Sequence, residues 1–385
     1  MTTTLSAPRV VTQDDVLSPG HVVIDGDRIA DVRAGRPAPA RGHVRFEDGL
    51  LIPGLVDLQV NGVAGIDFYS CDVDGWRAAL AALPGTGVTS CLPTLISAPI
   101  EGLVAAMEVS RLITGDEQRP TGARVLGVHL EGPFLAPARR GAHAAQHLAE
   151  PTAENVAALF AGSARPALVT LAPELPGGLA AIRSLTTAGV AVSIGHSNAT
   201  AEETRAAFDA GATLVTHLFN AQRGLNHREP GVVGAALADP RATSGLILDL
   251  EHVAADAARV AFAAAPGRIA LVTDAVAAAG RGAGRYRLGD DDVDFDGTSA
   301  PRRADGTLAG SALRLDTAVR NAITIGLPLP VAVAAASAVP ASALGRSDIG
   351  RLAPGALADI VWTDDDLTTR AAWIGGAYIA GEAPP

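Results

Sequence analysis

The chain has 385 residues, of which 48% are apolar; that is too long for one small domain and suits a barrel with a modest accessory domain. Its net charge of −11 comes without a basic tract, which disfavours nucleic acid as a partner, and no apolar run reaches the roughly 18 residues of a membrane span. The opening MTTTLSAPRVV lacks the features of a secretory signal, and Cys71 and Cys91 are too few for a disulfide framework, so a reducing cytoplasm is expected.

Residues 1–52 hold short alternating runs, HVVIDGDRIADVRAG and HVRFEDGLLIPG, around Asp25-Gly26 and Asp48-Gly49. This pattern predicts antiparallel strands. Eight apolar runs then follow, each ending at or near a polar residue. They are LIPGLVDLQV near Gln59, GVTSCLPTL near Thr94, RVLGVHLEG at Glu131, ALVTLAPE at Glu174, VAVSIGH at His196, LVTHLFN at His217, SGLILDLEH at Asp249 to His252, and RIALVTD at Asp274. A strand buried on both faces reads as a continuous apolar run. Ala-rich helices lie between most of them: Asp74 to Leu83, Pro99 to Ile113, GGLAAIRSLTTAG ending at Gly189, ATAEETRAAFDAGA with a capping box from Thr200 to Glu203, and AADAARVAFAAA. A long irregular stretch covers 277–312, and a Gly-rich loop, GTLAGS, precedes a helix expected at Ala312. From about 349, GRLAPGALADIVWTDDD and AAWIGGAYIAGE return to the style of the first 52 residues. The expected fold is α/β: a (β/α)8 barrel over 53–348, with a small β-sandwich formed by 1–52 and 349–385.

Such barrels place their chemistry at the C-terminal ends of the strands. Glu131, His196, His217 and Asp274 sit there, on strands 3, 5, 6 and 8. Two imidazoles and a carboxylate bind a divalent metal, and a second carboxylate moves protons. His129, two residues before Glu131, points the same way one layer deeper, as a supporting partner or as a core histidine. His143 and His252 are two further loop histidines, each a weak signal alone. Arg228, in HREPG, is a bidentate match for phosphate or carboxylate, or else a surface salt bridge. Asn220 lies three residues after His217 and is placed to share its ligand. GTLAGS either offers backbone amides to a sugar or anion, or simply turns. The chain contains no lysine; its thirty basic residues are arginine. Schiff-base chemistry, a Walker A lysine and a carbamylated lysine bridging two metals are therefore excluded.

The motifs PGLVDLQVNG, HLEGPFL, RGAH, GHSNA, THLFNA, HREPG, LVTDA and GTLAGS, in this order over nearly the whole chain, resemble the amidohydrolase superfamily. Within it they resemble the N-acetylglucosamine-6-phosphate deacetylase family. That resemblance implies hydrolysis of the acetamide of the phosphosugar to glucosamine 6-phosphate and acetate. It implies one divalent metal per subunit, zinc or iron, held by Glu131, His196 and His217. Gln59 and Asn61 stand where many amidohydrolases carry His-x-His for a second metal. It implies Asp274 as general base and acid, and His143 as polariser of the carbonyl. His252 would hold sugar or phosphate, Asn220, Ala221 and Arg228 would cradle the phosphate, and backbone at Ala142 and Leu308 would line the sugar. It also implies a homodimer, in which phosphate contacts can come from the partner. The family pattern has glycine where this chain has Leu250 or Glu251 before His252. Competing readings are a cyclic-amide hydrolase or deaminase on the same barrel, and a non-catalytic barrel scaffold.

Overall fold

The computed structural model describes residues 2–383 apart from 14, 39 and 115–120. Eight parallel strands form the barrel: Leu55–Val60, Val88–Ile96, Val128–Glu131, Pro166–Leu171, Ala191–Ile194, Leu214–Val215, Thr243–Ile247 and Ile269–Val272. All residues of the first two are buried, as the apolar runs require. Strand 1 meets strand 8 at a seam: Asn61 N–H donates to the Ala275 carbonyl at 2.7 Å and Asp274 N–H to the Gln59 carbonyl at 2.9 Å. Asp57 reinforces that seam from one layer below. It accepts the Thr273 hydroxyl at 2.6 Å and the Gln59 and Thr273 amides at 3.2 Å each.

The barrel interior beneath the mouth is a ladder of small polar side chains. His129 contacts Thr170 Oγ1 at 2.7 Å and Thr94 Oγ1 at 3.3 Å, and Thr170 continues to Thr216 at 2.7 Å. His129 is thus a hydrogen-bonded core histidine, and burial lowers its pKa to about 4. Gly195, just before His196, permits this packing: a Cβ there would lie 2.7 Å from the Thr170 methyl and 2.8 Å from Thr216 Cβ.

The helices Val73–Ala82, Ile100–Thr114, Gly178–Thr187, Ala201–Asp209 and Ala255–Ala264 lie where the sequence places them. Thr200 and Glu203 form the expected capping box. Both chain ends build two β-sheets. One comprises Thr2–Ala7, Gly20–Asp25, Arg28–Ala34 and His43–Arg45; the other joins Arg9–Val11, Val16–Leu17 and Leu50–Pro53 to Ile360–Thr363, Thr369–Ile374 and Ala377–Gly381. Leu5, Val22 and Ile24 of the first sheet pack with Leu51, Ile360 and Trp373 of the second. Phe46 stacks on Trp362 at 4.3 Å.

Three local expectations differ. Asp25-Gly26 closes a hairpin, but Asp48-Gly49 does not: the strands on either side of it belong to different sheets. The 277–312 stretch is not irregular throughout. It contains an antiparallel hairpin, Gly284–Leu288 with Asp291–Phe295, extended by bridges from Asp294 to Arg302 and from Arg302 to Leu308. The helix after GTLAGS begins at Leu315, not Ala312, because Ser311 is still paired with Ala275 and its hydroxyl accepts Leu313 N–H. No helix among the described residues is long and apolar enough to cross a membrane.

Candidate active site

At the C-terminal mouth of the barrel lies a cavity of about 490 Å³. Glu131, His196, His217 and Asp274 line it, each from the end of its own strand and each buried. Three of the four have left-handed backbone, with φ of 48° at His196, 27° at His217 and 50° at Asp274. Such strain in non-glycine residues gathers where surrounding structure holds a functional side chain in place.

Glu131 Oε1 is the hub. It lies 3.1 Å from His196 Nε2 and 2.9 Å from His217 Nε2, and those two nitrogens are 3.1 Å apart. Donors around a tetrahedral ion at ~2.0–2.1 Å stand about 3.3 Å from one another, close to this triangle. The tautomers point the same way. His196 Nδ1 faces the Arg139 carbonyl at 2.9 Å, which can only accept, so Nδ1 carries the proton. Burial, then the neighbouring His143, lowers the His196 pKa to about 4, so the ring is neutral and Nε2 is bare. A bare nitrogen therefore faces a carboxylate oxygen: burial raises the pKa of Glu131, but its contacts with the surrounding histidines outweigh that and hold it well below the usual range. Two lone pairs at that distance call for a cation between them. A divalent metal fits this donor set.

Asp274 sits beside the triangle. Its Oδ1 accepts Gln59 Nε2 at 3.0 Å and Asn61 Nδ2 at 2.7 Å. Gln59 Nε2 also reaches Glu131 Oε1 at 3.0 Å, tying the two carboxylates together. Burial, then the charge of Glu131, pushes the Asp274 pKa up to about 7. With Oδ1 taken by two amide donors, Oδ2 is the oxygen left to exchange a proton. His143 lies 3.7 Å from Glu131 Oε2. Its Nδ1 accepts Ser97 N–H at 3.2 Å, so in the neutral ring Nε2 carries hydrogen and donates into the site. Ligand-type atoms of Glu131, His143 and His196 also come within 4.8 Å of one another. His143 approaches the other carboxylate oxygen, however, whereas His217 shares Oε1 with His196.

Ala142, Asn220, Ala221, His252 and Leu308 all line the same cavity. His252 Nδ1 pairs with Asp249 Oδ2 at 2.6 Å, which orients the ring. Arg228 does not join them. It is exposed and absent from the cavity wall, its backbone N–H bound to Asn226 Oδ1 at 3.1 Å. Two arginines that sequence reasoning did not single out, Arg139 and Arg302, do line the wall, as does Leu288 from the hairpin.

A mouth-facing cluster of two imidazoles and two carboxylates defines a barrel built for metal-assisted hydrolysis. The chain belongs to the amidohydrolase family, whose sequence profile matches residues 50–382. It is 41% identical over 343 residues to an N-acetylglucosamine-6-phosphate deacetylase of Bos taurus, covering 86% of this chain and 83% of that one. It is 39% identical over 381 residues to an N-acetylgalactosamine-6-phosphate deacetylase of Escherichia coli O157:H7, covering 98% and 99%. Among solved structures, a mutant N-acetyl-D-glucosamine-6-phosphate deacetylase from Mycobacterium smegmatis, in complex with N-acetyl-D-glucosamine-6-phosphate, superposes with a TM-score of 0.92 at 36% identity over 98% of this chain and 99% of that one.

Proposed function

We propose that this chain hydrolyses the acetamide of N-acetylglucosamine 6-phosphate to glucosamine 6-phosphate and acetate. The observation that carries the reading is the convergence of Glu131 Oε1, His196 Nε2 and His217 Nε2 beside an Asp274 whose Oδ2 is free. Those three residues would hold one divalent ion, zinc or iron by the mixed nitrogen and oxygen donors. Such an ion supplies Lewis acidity and a water of lowered pKa. Asp274 Oδ2 takes a proton from the attacking water and returns it to nitrogen as the C–N bond breaks. His143 Nε2–H donates to the acetamide oxygen as negative charge develops there. His252 and the backbone at Ala142 and Leu308 hold the sugar. Asn220 and Ala221 receive the phosphate, with Arg228 brought in by a second copy of the chain in a homodimer. The free Cys71 and Cys91 suit a reducing cytoplasm.

The 4-epimer, N-acetylgalactosamine 6-phosphate, is the second reading, favoured by the 39% identity to a deacetylase named for it. Acetate release from both sugars is the test. Chelation should abolish activity and one divalent ion per chain should restore it. No acetate from either sugar by metal-loaded protein would reject both readings.

A further inference from the structure

Asn61 presents the cavity with an acceptor that no group among the described residues satisfies. The side chain is buried and lines the pocket. Its Nδ2 donates to Asp274 Oδ1 at 2.7 Å, which fixes the orientation of the amide. The flipped amide would set two acceptor oxygens against each other at that distance. Oδ1 is then left buried with no hydrogen-bond partner among the described residues. An unpaired buried acceptor is costly, and native structures keep few of them. A donor arriving with the ligand would satisfy it.

The inference rests on the deacetylation reading. The scissile acetamide carries one N–H, and its nitrogen has to come within reach of Asp274 Oδ2, which returns a proton to it. Asn61 Oδ1 lies one amide width from its contact with Asp274. Two nearby acceptors are already occupied: Glu131 Oε1 faces Gln59, His196 and His217, and Asp274 Oδ1 takes two amides, while Asp274 Oδ2 is kept for the proton. We propose that Asn61 Oδ1 accepts the N–H of the scissile amide and so turns the nitrogen lone pair toward Asp274 Oδ2. The hydrogen stays on nitrogen throughout. When the C–N bond breaks, the proton from Asp274 adds to that nitrogen and the contact with Asn61 passes to the departing amine.

The test compares the amide with its ester counterpart, the same sugar 6-phosphate acetylated on a C2 oxygen, which has no N–H to offer. kcat/KM is measured for both substrates in the wild type and in Asn61→Ala. The variant removes the support of Asp274 for both substrates, but removes the acceptor for the amide alone. The amide should therefore lose about tenfold more than the ester. Asn61→Ser supplies the same comparison if Asn61→Ala does not fold. Equal losses on amide and ester overturn the inference while leaving the substrate reading intact. A wild type that releases no acetate from the amide overturns both.

Discussion

At the scale of single residues the site is held by conformations that local propensity disfavours. His196, His217 and Asp274 each occupy left-handed backbone, at a cost of about 1–3 kcal/mol apiece. The seam hydrogen bonds and the packed strand ends impose it. Asp274→Asn isolates the proton-carrying oxygen. The isosteric amide keeps an oxygen for Gln59 and Asn61 but has no base at the second position. Turnover should fall by roughly 10²–10⁴ while metal content is retained, as elemental analysis and initial rates would establish. Loss of metal from this variant would assign Asp274 to ion binding instead. Leu250 has the same strain without the same use: its φ is 71° and its side chain is 39% exposed. The sequence motif leads one to expect glycine near here. Leu250→Gly should leave kcat/KM unchanged and raise stability by up to ~1 kcal/mol, the left-handed penalty less the entropy of glycine. A lower denaturation midpoint would show that Leu250 has a packing role.

At the scale of elements, the barrel is legible because strands buried on both faces leave continuous apolar runs, and their polar last residues mark the mouth. The hairpin at 284–295 left a fainter trace. Tyr286, Leu288, Val293 and Phe295 alternate around Gly289-Asp290, but Arg and Asp on the outer face dilute the pattern. Gln59 and Asn61 were readable as absent histidines, not as the donors that fix Asp274, because the seam between strands 1 and 8 joins residues more than 200 positions apart. Asp57 belongs to that seam and gives it a pH dependence. Burial raises its pKa from 3.8 to about 6, against the pull of its three donors. The folded state thus favours the neutral acid. Its contribution to stability is full below pH 3.8 and is lost as pH rises through about 6. Relative to wild type, Asp57→Asn should therefore gain on the order of 2–3 kcal/mol between pH 4 and pH 7. Denaturant midpoints of the two proteins across that range measure it, and a difference that stays flat would mean Asp57 is ionised throughout.

At the scale of the whole molecule, the cavity of one chain gathers Glu131, His196, His217 and Asp274 but holds no Arg228. The net charge of −11 calls for a local positive site for a dianionic phosphate, and with no lysine that task falls to arginine and backbone amides. Arg139 and Arg302 stand at the wall, where Arg139 Nε donates to Asn198 at 3.0 Å and Arg302 to the Gly306 carbonyl at 3.0 Å, so they are the candidates against which Arg228 has to be tested. Arg228 has its guanidinium on an exposed loop, where it is available to a second copy. In an isologous dimer the same patch serves both protomers, so each would complete the other's site. Mixed dimers separate this arrangement from one in which Arg228 serves its own chain. Arg228→Ala alone should raise KM for the phosphorylated sugar, an effect of roughly 1.5–3 kcal/mol, and Asp274→Asn alone should be nearly inactive. In a dimer of one of each, the chain with intact Asp274 receives intact Arg228 from its partner. Co-refolding the two in equal amounts should then restore about a quarter of wild-type kcat/KM per chain, because half the dimers are mixed and each mixed dimer has one intact site. If Arg228 acts within its own chain, no dimer holds an intact site, and activity stays at the mean of the two variants.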